Sequence, residues 1–230
     1  MRRSILILSI VLFAAVTIRS EPLTVGVMPF ANNSLAEKTE LEPLSKGLAD
    51  MMTTGLSKIK SLKMIERADL AKIIQEMGLS QSGLVDESSL KEAGRLLGAD
   101  LLLIGSFNQG FGGEMRIDAR LVKVETGETM KAEEVTGKKK KLFNMIKKLS
   151  FNIAANLDLK LSKEEKKALD NPDNEDMDAL MLFARGLDAE DKGDWKAAGE
   201  MYRKALAING RYARAQERLK TVESRLKSNP

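Results

Sequence analysis

Lys138, Lys139, Lys140 and Lys141, with Lys147 and Lys148 close behind, form the densest run of charge in the sequence. Four adjacent ammonium groups could hold the phosphates of a lipid or another anionic surface. The plainer role is a solvated helix start, although the helix macrodipole repels cations placed there. Gly110, Gly112 and Gly113 suggest part of a phosphate cradle, but no Lys-Ser/Thr pair follows them, so the spacing reads as a tight turn. Glu66-Arg67 ends a predicted strand, where α/β proteins often place sites; an ion pair or a helix cap would serve there without any ligand. Trp195, Tyr202 and Tyr212 lie close together in the C-terminal quarter and are the candidate partner-binding aromatics.

The sequence has no His and no Cys. Ser-His-Asp and Cys-His catalysis, disulfides, thiol lipidation and the common zinc ligand sets are thereby excluded. Acidic residues are abundant, yet none is spaced as a recognisable acid–base pair, so no catalytic residue, cofactor or metal is assigned. Aromatic residues make up only 4% of the chain, too few for base-stacking or sugar platforms. Of the 37 Lys and Arg residues, Arg2, Arg3 and Arg19 fall in the first twenty; the remainder is close to balance with the 33 Asp and Glu. Charge therefore gives no support to nucleic-acid binding.

The elements that position these groups follow from periodicity. Arg2 and Arg3 precede an apolar run, Ile5 to Val16, too short to cross a bilayer comfortably and suited to a secretory leader over residues 1–20. An uncleaved anchor is the alternative, because Ile18 is large for the position it would hold before a cut after Ser20. Leu23 to Phe30 reads as a buried strand, and Leu41, Leu44, Leu48, Met52, Leu56 and Ile59 mark one face of a helix. Met51 and Met52 read as core filler; Gly47 and Gly55 on that helix permit close packing against a sheet or a neighbouring subunit. A strand at 62–66, a helix from Asp69 to Gly78, a Ser/Gly-rich loop at 79–86 and a helix at 87–97 come next. Leu101 to Phe107 is apolar at nearly every position, as a strand covered on both faces must be. Residues 114–125 alternate until Val122 and Val124 reverse the pattern, which predicts a bulge or a twist. Thr126-Gly127-Glu128 turns a hairpin into a strand at 130–137, and a helix over about 140–158 closes the unit.

The expected fold is α/β: a mixed sheet of about five strands with flanking helices over residues 21–160. A charged linker at 161–175 and an all-helical region at 176–230 follow.

Four ordered segments carry a family resemblance over about 23–137. They are VGVMPF (Val25 to Phe30), the stretch from Ile65 to Ser89, AGRLLGADLLLIGSF (Ala93 to Phe107) and RIDARLVKVETGE (Arg116 to Glu128). This region resembles the CsgG family of curli assembly and transport proteins and its relatives with TolB-N-like domains. The resemblance implies an envelope protein that works through protein partners and self-associates as ring-forming relatives do.

The pore-forming relative carries two membrane-spanning hairpins, and a spanning hairpin needs about twenty residues plus a turn. Only eight residues separate Phe107 from Arg116, and four lysines separate Gly137 from Leu142. A scaffold is expected here, not that channel.

Gly186 to Asn209 resembles one tetratricopeptide repeat. Gly186, Ala189, Ala198 and Ala205 stand where paired helices touch, Trp195 and Tyr202 supply bulk, and Gly193-Asp194 makes the turn. Arg185 and Gly210 depart from that pattern. A lone repeat buries its core poorly, so the tail should dock on the α/β domain or on a partner.

The expected function is a non-catalytic periplasmic or outer-envelope accessory protein of assembly or secretion. Its partners would be envelope or secretion proteins and further copies of itself, with peripheral membrane association through the lysines. The alternative is a regulator of peptidoglycan synthases, since lipoprotein activators of those enzymes look like the same domain. An enzyme or small-molecule receptor using a strand-end cleft is the third reading.

Overall fold

The computed structural model describes residues 21–79, 86–171 and 176–228. The leader, most of the Ser/Gly-rich loop and part of the linker named above lie outside the described residues. The first apolar run folds as β1 (Leu23–Val27) and resumes after a jog as β2 (Ala31–Asn32). The jog is held from the side by helix α2 (Leu44–Leu56), which follows the short α1 (Lys38–Leu41). The Phe30 N–H donates to the Ser45 carbonyl at 3.1 Å, and the Ser45 hydroxyl donates to the Phe30 carbonyl at 2.6 Å.

The sheet is completed by β3 (Leu62–Met64), β4 (Leu101–Gln109), β5 (Glu114–Lys123) and β6 (Thr129–Lys138). Its order is β3-β1-β4-β5-β6, with β2 beside β4. The pairings of β1 with β3 and β4, and of β2 with β4, are parallel; those joining β4, β5 and β6 are antiparallel. It thus has six strands against about five expected. The addition is β2, a two-residue bridge too short to leave a periodic pattern. The predicted irregularity in β5 lies between Arg120 and Val122.

From β1 the chain crosses to β3 on one side through α2. It then returns to β4 on the other side through α3 (Arg67–Glu76) and α4 (Glu87–Leu96). Right-handed crossovers in opposite directions put their helices on opposite faces. Leu48 and Met52 of α2, with Ile146 and Leu149 of α5 (Leu142–Asn156), bury Leu101 and Leu103 on one face. Leu70, Ile74 and Leu90 bury Leu102 and Ile104 on the other. That double cover is why β4 is apolar without alternation.

The stretch read as a linker contains helix α6 (Lys163–Leu169), closed by a capping box between Ser162 and Glu165. Glu165 also accepts the Lys60 N–H at 2.8 Å, and Leu169 is buried. Its charges form the outer face of one short helix, so composition alone masks it.

The tail has three helices, α7 (Met177–Asp191), α8 (Trp195–Ile208) and α9 (Ala213–Ser228). Gly193, at φ 75°, turns α7 into α8, and Asp194 caps α8 by accepting the Ala197 N–H at 2.9 Å. Their core holds Phe183, Leu187, Tyr202, Tyr212 and Val222. Gly186 lies directly beneath the Tyr202 ring, and a Cβ there would collide with it. The tail rests on the α/β domain through α2: a Cβ on Gly47 would stand 3.2 Å from that of Ala184. Gly55, one turn pair along, faces Ser150 of α5 instead.

Candidate interaction surface

Four cations and four carboxylates meet where the tail covers the α/β domain. Lys46 of α2 binds Asp188 at 2.7 Å and Asp191 at 2.9 Å. Arg67, the first residue of α3, reaches Asp191 and also Glu190, the latter at 3.3 Å. Arg218 of α9 grips the same Glu190 through Nε at 3.0 Å and through Nη2. Arg214, one turn earlier, donates to Asp50 of α2 at 2.6 Å. The Glu190 side chain is 2% exposed and that of Asp50 3%, so both carboxylates depend on these partners for solvation.

Tyr202 donates its hydroxyl to Glu190 as well. Burial, with the neighbouring carboxylate, pushes its phenol far above the usual range and keeps it a donor. Burial opposes the charge on Arg214 and Arg218, but the carboxylates they face outweigh it and raise both. Burial likewise works against ionised Asp188, while Lys192 and Lys46 draw its carboxyl below the ordinary value.

The clamp roofs a crevice of about 220 Å³ between α2 and α3, at the carboxyl ends of β1 and β3. Val27, Thr53, Glu66, Arg67 and Arg214 line it. This is the strand-end position flagged for Glu66-Arg67. Arg67 is used there for docking, with its Nη groups turned to the tail. The space is small against the roughly 300–1,000 Å³ of ordinary ligand pockets. Among the described residues no group of three or more acidic side chains could hold a metal ion.

The three aromatic candidates divide. Tyr202 is fully buried and Tyr212 is 3% exposed, and both rings pack on Phe183 at centroid distances of 5.5 and 4.9 Å. Both rings belong to the core of the tail. Trp195 is half-buried, with the Arg225 guanidinium 4.3 Å from its ring centroid. Of the lysines, Lys139 pairs with Glu37 at 2.6 Å, while Lys138, Lys140 and Lys141 are exposed. The structure keeps the lysines and the aromatics on separate parts of the molecule.

Lys46, Arg67 and Arg214 carry no local signature, since the clamp partners they reach lie more than a hundred residues away, and Arg218 reaches Glu190 across 28. Glu190 carries one. It follows Phe183 and Leu187 along the buried stripe of α7, and a carboxylate on such a stripe requires a buried partner.

No curated protein matches this chain. Among solved structures, lipoprotein GNA1162 from Neisseria meningitidis aligns with a TM-score of 0.45 at 17% identity, covering 59% of this chain and 98% of that one. The C-terminal domain of LpoB from Salmonella enterica aligns with a TM-score of 0.38 at 19% identity, covering 52% of this chain and 85% of that one. The NMR structure of E. coli LpoB gives 0.37 and 21%, covering 50% and 56%. Residues 13–116 match the family model described as curli production assembly/transport component CsgG.

Proposed function

We propose that this chain is a non-catalytic accessory protein of the bacterial envelope that acts in assembly or secretion by binding other proteins. The clamp carries the reading. It ties a helical adaptor rigidly to an α/β scaffold, so a partner meets a preorganised surface and little ordering cost falls on binding. The leader at 1–20 delivers the chain to the periplasmic or outer-envelope side. Residues 21–160 form the scaffold and self-associate, 161–175 connect, and 176–230 are the tetratricopeptide-like adaptor. The match to the CsgG family model supports an envelope role. Four residues join β4 to β5, and three link β6 to α5, which favours a scaffold over a channel.

The test is photo-crosslinking in intact cells from Lys196 and Glu200, exposed positions on α8. Capture of an envelope or secretion protein is expected at one or both. Capture of a peptidoglycan synthase would transfer the protein to the regulatory reading, and capture of cytoplasmic proteins alone would overturn the envelope assignment.

A further inference from the structure

The β4–β5 turn and the loop beside it combine two features that nothing in the clamp requires. The β4–β5 turn presents Phe111 between Gly110 and Gly112 with its side chain 85% exposed. Leu35, 75% exposed, stands beside it, because the N–H groups of Leu35 and Ala36 both donate to the Gln109 carbonyl, at 3.1 and 3.2 Å. These are two of the four large apolar side chains that stand exposed among the described residues. Lys138 pairs with Glu114 in the β5–β6 register, and the Lys139 N–H donates to the Gly113 carbonyl at 3.2 Å. Lys140 and Lys141 follow at once, so the lysine run borders the same turn. Glu37, already bound to Lys139, and Glu114 are the carboxylates beside these four lysines, so the rim is net cationic.

We infer that this turn and loop form a contact site for a membrane surface of anionic lipid, with Phe111 and Leu35 entering the headgroup boundary and Lys138, Lys140 and Lys141 facing the phosphates. Several observations select a lipid surface over a protein. Two apolar side chains projecting from adjacent loops offer far less than the roughly 1,000 Å² of a stable protein interface. They stand out as points and form no groove. Lysine, a compact charge on a flexible stem, suits a fluid plane of phosphates, whereas arginine dominates shaped protein pockets. Apolar insertion and a basic rim are the two signals that together make peripheral binding stable. The inference does not depend on which protein the tail engages.

Phe111→Trp places a reporter at the turn. Mixed phosphatidylglycerol–phosphatidylcholine vesicles should shift its emission to the blue, and brominated lipid should quench it beyond the signal of the parent chain with its single Trp195. Pure phosphatidylcholine vesicles should do neither at matched lipid. Adding Lys138→Glu, Lys140→Glu and Lys141→Glu should raise the lipid concentration at half-shift by at least about tenfold, as attraction of basic residues to anionic surfaces implies. All four positions are solvent-facing, and an unchanged thermal melt would show that the fold survives. Emission at 111 indifferent to anionic vesicles, or a shift equal in the lysine variant, would overturn the inference. The readout is local to the turn, so neither residues 1–20 nor a failed search for a protein partner alters it.

Discussion

Arg214 in the last helix donates to Asp50 in the second, 2.6 Å away across 164 residues of sequence. The two members are unequal, for the Asp50 side chain is 3% exposed and that of Arg214 24%. Removing Arg214 strands a buried carboxylate; removing Asp50 frees an arginine that still has Glu217 at 2.9 Å. Arg214→Ala should therefore cost about 2–4 kcal/mol and Asp50→Asn about half that. Replacing both with Arg214→Met and Asp50→Leu should recover most of the loss. Urea denaturation of the four proteins checks the order, and equal losses for the single variants would count against it.

Gly186→Ala addresses the tail core. A Cβ has no room beneath the Tyr202 ring, whose hydroxyl is fixed to Glu190. Either the ring moves and the hydroxyl loses its acceptor, or α7 and α8 separate. We expect a loss of about 1–3 kcal/mol, with faster hydrogen exchange in α7–α9 and little change in β4.

Gly105→Ala tests the sheet in the same way. Phe30 lies over Gly105, and a Cβ would also stand 2.6 Å from the Asp118 carbonyl, a backbone atom that cannot yield. The cost should be at least about 2 kcal/mol, and a Phe30→Leu partner change should relieve only part of it. Full relief would show that the ring alone is the obstacle.

Acid should loosen the tail. Asp188 has its carboxyl lowered in the folded protein, with Lys192 and Lys46 outweighing burial. Glu165 is lowered by the backbone N–H groups of Lys60 and Ser162. A lowered folded value means stabilisation that is complete above the unfolded values near pH 4 and lost as pH falls through the folded ones. Thermal melts should thus be level from neutrality to about pH 5 and decline below pH 4. Asp188→Asn should flatten that decline, and an unaltered slope would remove Asp188 from the account.

The sheet was legible because burial imposes its period on the chain. Leu101 to Ile104 declared a doubly covered strand, and the reversal at Val122 and Val124 anticipated the slip beside Val122. Helix α6 was hidden because its outward positions, Lys163, Glu164, Lys166 and Lys167, are all charged. The docking of the tail was half visible: a short helical tail had to rest on something, and Gly47 permitted a close approach. The identity of the clamp was not visible, because Arg214 and Asp50 resemble any surface charges until folding makes them neighbours. Tyr202 and Tyr212 drew attention for their size, and size is what the core of the tail required.

The clamp also dictates an order of events. Asp50, Lys46 and Arg67 are made early in synthesis; Lys46 and Arg67 stand open to water until α7 brings Asp188, Glu190 and Asp191, and Asp50 until α9 brings Arg214. The sheet can therefore assemble without waiting for them. The arginines of α9 come last and convert a finished but loosely capped domain into the complete molecule, so a chain truncated before Ala213 should retain its sheet but lose both the seal and the share of the tail core that Ala215 and Val222 supply.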